Sequence, residues 1–197
     1  MQVCVYCGSS DGSDASYREQ AFELGRRLGA ANIRTVYGGG SVGSMGALAD
    51  GVLSVDGEIV GILPHFMHEL EWGHPGLSRL DVVSDMRVRK EKMLAGSDAC
   101  IALPGGCGTF EELFEALTLK RLGLWFGAVI VVNTNQFFTP MQKFLQHAVD
   151  ERFMDIRHGQ MWTLVDNTDE VIPAIKQAPQ WPSDARKFAA VGSQRKC

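Results

Sequence analysis

Ala99-Cys100-Ile101-Ala102-Leu103-Pro104-Gly105-Gly106-Cys107-Gly108-Thr109-Phe110-Glu111-Glu112 runs from an apolar stretch through a glycine-rich turn and on into Leu113-Phe114-Glu115-Ala116-Leu117. The apolar part reads as a buried strand and the last part as a helix, so the glycines stand at a strand-to-helix junction. Three glycines within four positions, Gly105, Gly106 and Gly108, let backbone N–H groups approach an anion at the positive end of that helix. Glu111 and Glu112 are expected in the first helical turn beside the anion. A phosphate cradle next to a carboxylate points to chemistry on a phosphorylated small molecule.

Working outward, strand-like and helix-like segments alternate. Strands are expected at Val3–Tyr6, Thr35–Tyr37, Ile59–Leu63, Leu80–Val83, Ala99–Leu103, Ala128–Val132 and Trp162–Val165. Helices are expected over Asp14–Ala31, after the Gly38-Gly39-Gly40 run, from Met86 to about Ala95, over Glu111–Leu122, Thr139–Arg152 and Glu170–Lys176. The strands are apolar without polar alternation, the mark of a parallel sheet covered on both faces. The fold class read from this pattern is α/β, a single doubly wound Rossmann-like domain over residues 1–178 with a mostly parallel sheet. Residues 179–197 are polar and read as a loose tail. Sheets of this kind bind ligands outside the carboxyl ends of their strands, where Pro104–Glu112 and the second glycine loop, Gly38–Gly46, should both lie.

That second loop lacks the Gly-Lys-Ser/Thr ending of a P-loop and the spacing of the dinucleotide fingerprint, which argues against NTP hydrolysis and hydride transfer. Asp85-Met86-Arg87-Val88-Arg89-Lys90 holds three basic residues in four positions. Taken alone it reads as a solvated basic face, with Arg89 pointing away from Arg87 and Lys90. Thr109-x-x-Glu112 also fits a capping box, in which Glu112 would only satisfy the helix N-terminus. The two roles differ in consequence: a lost cap costs about 0.5–2 kcal/mol of stability, a lost general acid or base about 10²–10⁴ in rate. Cys4-Val5-Tyr6-Cys7 is formally a CxxC, but residues three apart on a strand face opposite sides, so a core role outweighs metal binding. His65, His68 and His74 read as rim residues on a loop.

The 197 residues carry 19 Lys+Arg against 23 Asp+Glu, a net charge of −4, which disfavours general nucleic-acid binding. No apolar run is long enough to cross a bilayer and no signal-peptide pattern opens the sequence, so no membrane partner is expected. Five cysteines, mostly in apolar runs, fit a reducing cytoplasm.

With these residues in place, the sequence resembles the Lonely Guy (LOG) family of cytokinin-activating phosphoribohydrolases, often labelled lysine decarboxylase-like. The family motif Pro-Gly-Gly-x-Gly-Thr-x-x-Glu is matched in full by Pro104 through Glu112, and Met-x-x-Arg-Lys by Met86, Arg89 and Lys90. Cys4–Ser10, Gly38–Gly46 and Gly61-Ile62-Leu63-Pro64 with Glu71 downstream are similar too. The resemblance implies hydrolysis of the N-glycosidic bond of cytokinin riboside 5′-monophosphates, or of AMP, to free base and ribose 5-phosphate. It makes Arg89 and Glu112 the catalytic pair. Glu71, Lys90, Gly106, Cys107, Gly108, Thr109, Phe110, Glu111 and Thr118 would bind substrate, with Gly106, Gly108 and Thr109 on the 5′-phosphate. Ser9, Gly39, Gly40, Gly43, Met45 and Met86 would border the pocket. Neither a metal nor an organic cofactor is implied.

The resemblance also implies a homodimer with sites near its interface, which the apolar Trp125-Phe126 could face. Two departures stand out: Arg87 replaces the usual His of the Arg-Lys motif, and Ser44 stands where a bulkier apolar residue is common. Alternatives of other kinds are a general purine nucleoside-monophosphate nucleosidase and a non-catalytic carrier of a nucleotide or of the molybdenum cofactor.

Overall fold

The computed structural model describes residues 1–70 and 72–190. Seven strands form one parallel sheet: β1 (Gln2–Tyr6), β2 (Arg34–Tyr37), β3 (Ile59–Pro64), β4 (Arg79–Val83), β5 (Ala99–Ala102), β6 (Ala128–Val132) and β7 (Thr163–Val165), in the order β4-β3-β2-β1-β5-β6-β7. The chain walks outward from β1 to β4, then returns to lay β5 against the other side of β1. The gap between the ends of β1 and β5 is therefore the topological switch point, where ligands of such sheets bind.

Alternate residues of each strand feed opposite faces. Cys4, Tyr6, Val36, Ile62, Cys100 and Val131 pack in one apolar layer, while Val3, Val5, Cys7, Tyr37, Ile101 and Val132 pack in the other. Cys4 and Cys7 thus lie on opposite sides of the sheet, as the strand period requires. The second layer is closed by α1 (Ala15–Ala30), α2 (Gly43–Leu53) and α7 (Val171–Gln177) through Leu24, Leu28, Leu48, Val52 and Val171. The first is closed by α4 (Met86–Leu94), α5 (Cys107–Arg121) and α6 (Thr139–Asp150) through Met93, Leu113, Leu117 and Leu145. A short α3 (His65–Glu69) follows β3. Asp14 caps α1 by accepting from Ser16 N, and Asp85 caps α4 by accepting from Arg87 N and Val88 N.

Two expectations are corrected. First, α5 starts at Cys107, four residues before Glu111. Its N-cap is Gly106, extended at φ −95° and ψ −155° and without a side-chain cap bond. Thr109 is therefore the third helical residue and not a cap. Glu111 and Glu112 fall in the second turn and have no capping role.

Second, the stretch after Pro179 is not loose where it is described. Trp181, Ala185 and Phe188 are buried in the first apolar layer. Trp181 Nε1 donates to the Lys120 carbonyl (2.7 Å) and Arg186 Nε to the Leu122 carbonyl (3.2 Å), so the segment closes the C-terminal end of α5. Polar composition hid three apolar anchors spaced three or four apart. Residues 191–197 of the expected tail lie outside the described residues.

Trp181→Ala should destabilise the fold by about 3–5 kcal/mol, the range for a large buried aromatic side chain. Urea unfolding of the full chain measures it; a change under about 0.5 kcal/mol would mean the segment does not pack.

Candidate active site

At the end of β5 the backbone turns through Pro104, Gly105 and Gly106 into α5. The turn abuts the loop after β1, where Gly8 N donates to the Pro104 carbonyl (3.2 Å). A Cβ on Gly105 would sit 2.1 Å from Thr109 Oγ1 and 2.9 Å from Gly8 N, so no other residue fits. Thr109 is buried beneath this contact. Gly106 and Gly108 are different: a Cβ on either would meet nothing within 4 Å. Nothing inside the protein demands glycine at these two exposed positions. Together with the uncapped N–H groups of the first turn, they form a bare, positively polarised surface suited to an anion.

Glu112 lies one turn beyond Gly108 on the same face of α5. It is 5% exposed and makes no hydrogen bond among the described residues. Burial pushes its carboxyl up to about 7; the positive charge of Arg89 opposes that rise, as does Lys90, while Glu111 and Glu115 add to it. Cys7, also buried, is close enough to feel both Glu112 and Arg89, and its thiol is held well above the ordinary range by burial.

Arg89 is equally buried. Its Nε donates to the Ile62 carbonyl (3.1 Å) and its Nη2 to the Gly38 carbonyl (3.0 Å), while Nη1 lies 3.7 Å from Met86 Sδ. The guanidinium thus bridges the end of β3 and the loop after β2. A Cβ on Gly38 would stand 2.1 Å from Nη2, so this glycine makes room for the cation. The solvated basic face expected for residues 87–90 is corrected here: Arg87 is exposed, but Arg89 is drawn inside by two carbonyls that no local pattern discloses.

Arg89, Met86, Met45, Ser9 and Gly108 line one cavity of about 490 Å³, with Gly40 and Ser41 at its border. Its remaining walls include Gly38 and Val42 of the glycine loop and Leu63 of the Gly61–Pro64 stretch, together with Met67 and Trp72, which no motif marks. The loop bearing Trp72 is tied across by Ser41 N donating to the Trp72 carbonyl (3.1 Å) and His74 N to the Gly39 carbonyl (2.9 Å). Gly39 packs against Leu80 and Leu63 behind the cavity, and Gly43 at the start of α2 abuts Ser9 and Ser10. Glu71 lies outside the described residues.

The other expected contacts gather elsewhere. Lys90 Nζ is bound by Glu111 and, at 3.2 Å, by Glu115, outside the cavity. Glu111, Glu115 and Thr118 form one stripe of α5, and Thr118 is exposed on it. Cys107 is exposed at the first helical position, and Phe110 stacks on Phe137 (6.2 Å between ring centres). Among the described residues no three His, Cys, Asp or Glu side chains come together to hold a metal ion. His74 instead meets Asp50, 3.1 Å away.

Residues 45–175 match the family described as possible lysine decarboxylase. The chain belongs to this lysine decarboxylase-like, LOG family. Its curated relatives include the cytokinin riboside 5′-monophosphate phosphoribohydrolase of Rhodococcoides fascians, 41% identical over 153 residues and covering 77% of each chain. The probable enzyme of that name from Oryza sativa subsp. japonica, LOGL2, is 38% identical over 180 residues, 91% of this chain and 74% of the relative. Among solved structures, TM1055 is 26% identical with a TM-score of 0.68, covering 89% of this chain and 97% of that one. The molybdenum cofactor carrier of Chlamydomonas reinhardtii superposes at a TM-score of 0.70 over 90% of this chain and 96% of its own, but at 20% identity it shares the fold alone.

Neither Lys90 nor Lys120 presents a free amine of the kind pyridoxal chemistry needs. A Schiff-base lysine must be free and reachable. Lys90 is held between two carboxylates, and Lys120 is buried with Nζ donating to the Gly127 carbonyl (2.6 Å) under the Trp181 ring.

Two glycine substitutions should separate the roles. Gly38→Ala forces Arg89 off its carbonyl and should destabilise by about 1.5–3 kcal/mol, the value of hydrogen bonds to a charged group. Gly108→Ala meets nothing and should be neutral or stabilise α5 by up to about 1 kcal/mol. Thermal and urea unfolding of the pair measures both.

Proposed function

We propose that this protein hydrolyses the N-glycosidic bond of cytokinin riboside 5′-monophosphates, releasing the free base and ribose 5-phosphate. The observation that carries the reading is Glu112: a buried carboxylate with no hydrogen-bond partner among the described residues, one turn behind an uncapped helix N-terminus and within the field of Arg89. The identity to the enzymes from Rhodococcoides fascians and Arabidopsis thaliana, 41% and 39%, supports the same activity.

In this reading the 5′-phosphate sits on the N–H groups of Gly106, Cys107 and Gly108. The ribose then lies along α5 toward Glu112, and the base enters the cavity beside Met45 and Met86. As the bond from C1′ to the base nitrogen breaks, positive charge grows on the sugar. The ionised Glu112 stabilises it and orients the water whose oxygen adds to C1′. Arg89 positions the nucleotide and offsets the electrons left on the departing base, which takes up the proton that the attacking water gives up. The phosphate is remote from the breaking bond, so its binding energy holds the ribose in place, and the nucleoside should be a poor substrate. The cavity wall of Val42, Met67 and Trp72 suits an alkyl group on the base better than plain adenine.

A carrier would need the anion surface but not the carboxylate. Burying the Glu112 carboxyl costs stability that an anion surface alone would not require. A homodimer and a cytoplasmic location complete the reading. Leu124, which lines the groove between α4 and α5, is 56% exposed, and Phe126 is 46% exposed. A second copy against that face would also give Lys90, Glu111 and Thr118 a substrate to touch. Apart from Cys107, the described cysteines are buried thiols, which suits a reducing compartment.

Glu112→Gln should lower kcat by about 10²–10⁴ with the fold intact. In the wild type, kcat/KM should rise with pH through about 7 as Glu112 ionises, and this limb should vanish in the variant. Stability runs the other way. The folded pKa lies above the unfolded one, so the native state binds the extra proton and stability falls as pH rises from about 4.5 toward 7. Glu112→Gln should therefore melt higher than wild type at pH 8 and about equally at pH 4. A variant that is active, or that melts lower at pH 8, contradicts this assignment.

Base preference is read from kcat/KM for N6-isopentenyl-AMP against AMP and adenosine. The alkylated nucleotide should lead AMP by about tenfold, the worth of a few buried carbons, and adenosine should give no measurable release. Trp72→Ala should narrow the first gap by lowering only the isopentenyl rate.

A further inference from the structure

A second cleft opens on the far side of the phosphate turn. It measures about 260 Å³ and is lined by Ser9, Ser10, Ser13, Ser44, Tyr17 and Phe137, with Gly105 and Gly106 as its floor. Ser9 lines both this cleft and the catalytic cavity, and Gly106 borders the anion surface. A phosphate seated on the first turn of α5 therefore has the ribose on one side and this cleft on the other. We propose that the cleft is a second subsite of the same active site, taking an uncharged planar group, a second nucleoside, esterified to the 5′-phosphate of the bound nucleotide. This rests on the hydrolase reading above and extends its substrate class to dinucleotides.

The lining selects that chemistry. Ser44 is 4% exposed, lines the cleft and makes no side-chain hydrogen bond among the described residues, so its hydroxyl awaits a partner. Tyr17 and Phe137 meet edge to face at 5.9 Å and 75°, and Phe137 is backed by Phe110, stacked at 6.2 Å. That is a supported aromatic wall for a ring to stack on.

Charge argues against a second phosphate. Among the described residues no Lys or Arg lines the cleft. The carboxylate of Asp11 stands beside it, accepting from Gly43 N (2.8 Å) and so occupying a donor of α2 that an anion would want. Arg18 donates to the Asp11 and Ser13 carbonyls (3.0 and 2.9 Å) and is committed there. A neutral ring meets hydroxyls and aromatic carbon; a β-phosphate meets a carboxylate. A larger side chain in place of Ser44 would take up part of the cleft.

The test uses the full chain and two diesters of AMP: its 5′-methyl ester, and the dinucleoside monophosphate in which the 3′-oxygen of cytidine is joined to the 5′-phosphate of adenosine. Binding is measured by calorimetry in Glu112→Gln, where neither is turned over, and AMP hydrolysis is measured with Glu112 in place. The dinucleotide should bind about tenfold or more tightly than the methyl ester, as one stacked base provides. Ser44→Leu, which fills the cleft, and Tyr17→Ala, which removes its wall, should each erase that margin while AMP hydrolysis stays near wild type. If one variant fails to fold, the other carries the comparison.

Equal affinities for the two diesters, failure of the dinucleotide to bind, or a margin that survives the substitutions would overturn the subsite while AMP hydrolysis still upheld the hydrolase. Absence of AMP hydrolysis in the wild type would remove both.

Discussion

Arg89 is a full positive charge taken out of water, and the protein makes room for it only by surrendering two main-chain carbonyls, those of Ile62 and Gly38. Both belong to segments that leave the sheet beside the switch point. The bonds tie α4 to the ends of β2 and β3, and Gly38 lacks the Cβ that would collide with the guanidinium. Where the cation sits determines how Glu112 behaves. Burial alone drives that carboxyl toward neutrality, and the field of Arg89 brings it back to where it can ionise near pH 7. Without the carbonyl clamp the arginine would seek solvent, as Arg87 does, and the carboxylate would lose the charge that makes it usable.

The anion surface follows a different economy. The helices α1 and α4 finish their first turn with a side-chain cap, from Asp14 and Asp85. The two helices that point at the switch point, α2 and α5, have no side chain of their N-cap residue bonded to their N–H groups. An unsatisfied N-terminus costs stability unless water or a ligand takes the donors. On α2 the carboxylate of Asp11 takes one of them, from a distant loop. On α5 the first turn stays bare, and the two glycines that flank it have empty space where a side chain would be. The helices α3, α6 and α7 also lack a side-chain cap, so on α5 it is the open space at Gly106 and Gly108 beside the bare first turn that suits an anion.

The segment from Trp181 to Phe188 acts at the opposite end of the same helix. It places indole and guanidinium donors on the last carbonyls of α5, whose first turn carries the bare N–H groups. The helix bearing Glu112 is therefore held at its far end by chain that follows the sheet in sequence. Between the two ends, the Glu111-Glu115-Thr118 stripe and the groove toward α4 leave apolar and charged groups together on the outside. In a dimer that face would be covered.

The strands and their parallel arrangement were legible because burial on both faces demands unbroken apolar runs, and Ala128–Val132 or Ile59–Leu63 admit no other reading. The two glycine loops, and their place at one edge of the sheet, were legible because only glycine permits the backbone to turn and be approached there. Glu112 was identifiable for its place in a motif, but its surroundings were not. The start of α5 was misjudged because Gly106 can serve as an N-cap without a polar side chain. The closing segment at 181–188 was misjudged because its three apolar anchors are outnumbered by charged and polar neighbours.

Residue order along the chain thus determined the α/β alternation and the glycine turn at the strand-to-helix junction, while the pairing of Arg89 with Glu112 was implied by the family resemblance. Folding alone decided that Arg89 and not Arg87 goes inside, that Trp72 and Met67 wall the cavity, and that Ser44 and Tyr17 share a cleft. Those outcomes depend on distances between residues far apart in sequence, and burial, not local propensity, sets the energy of each.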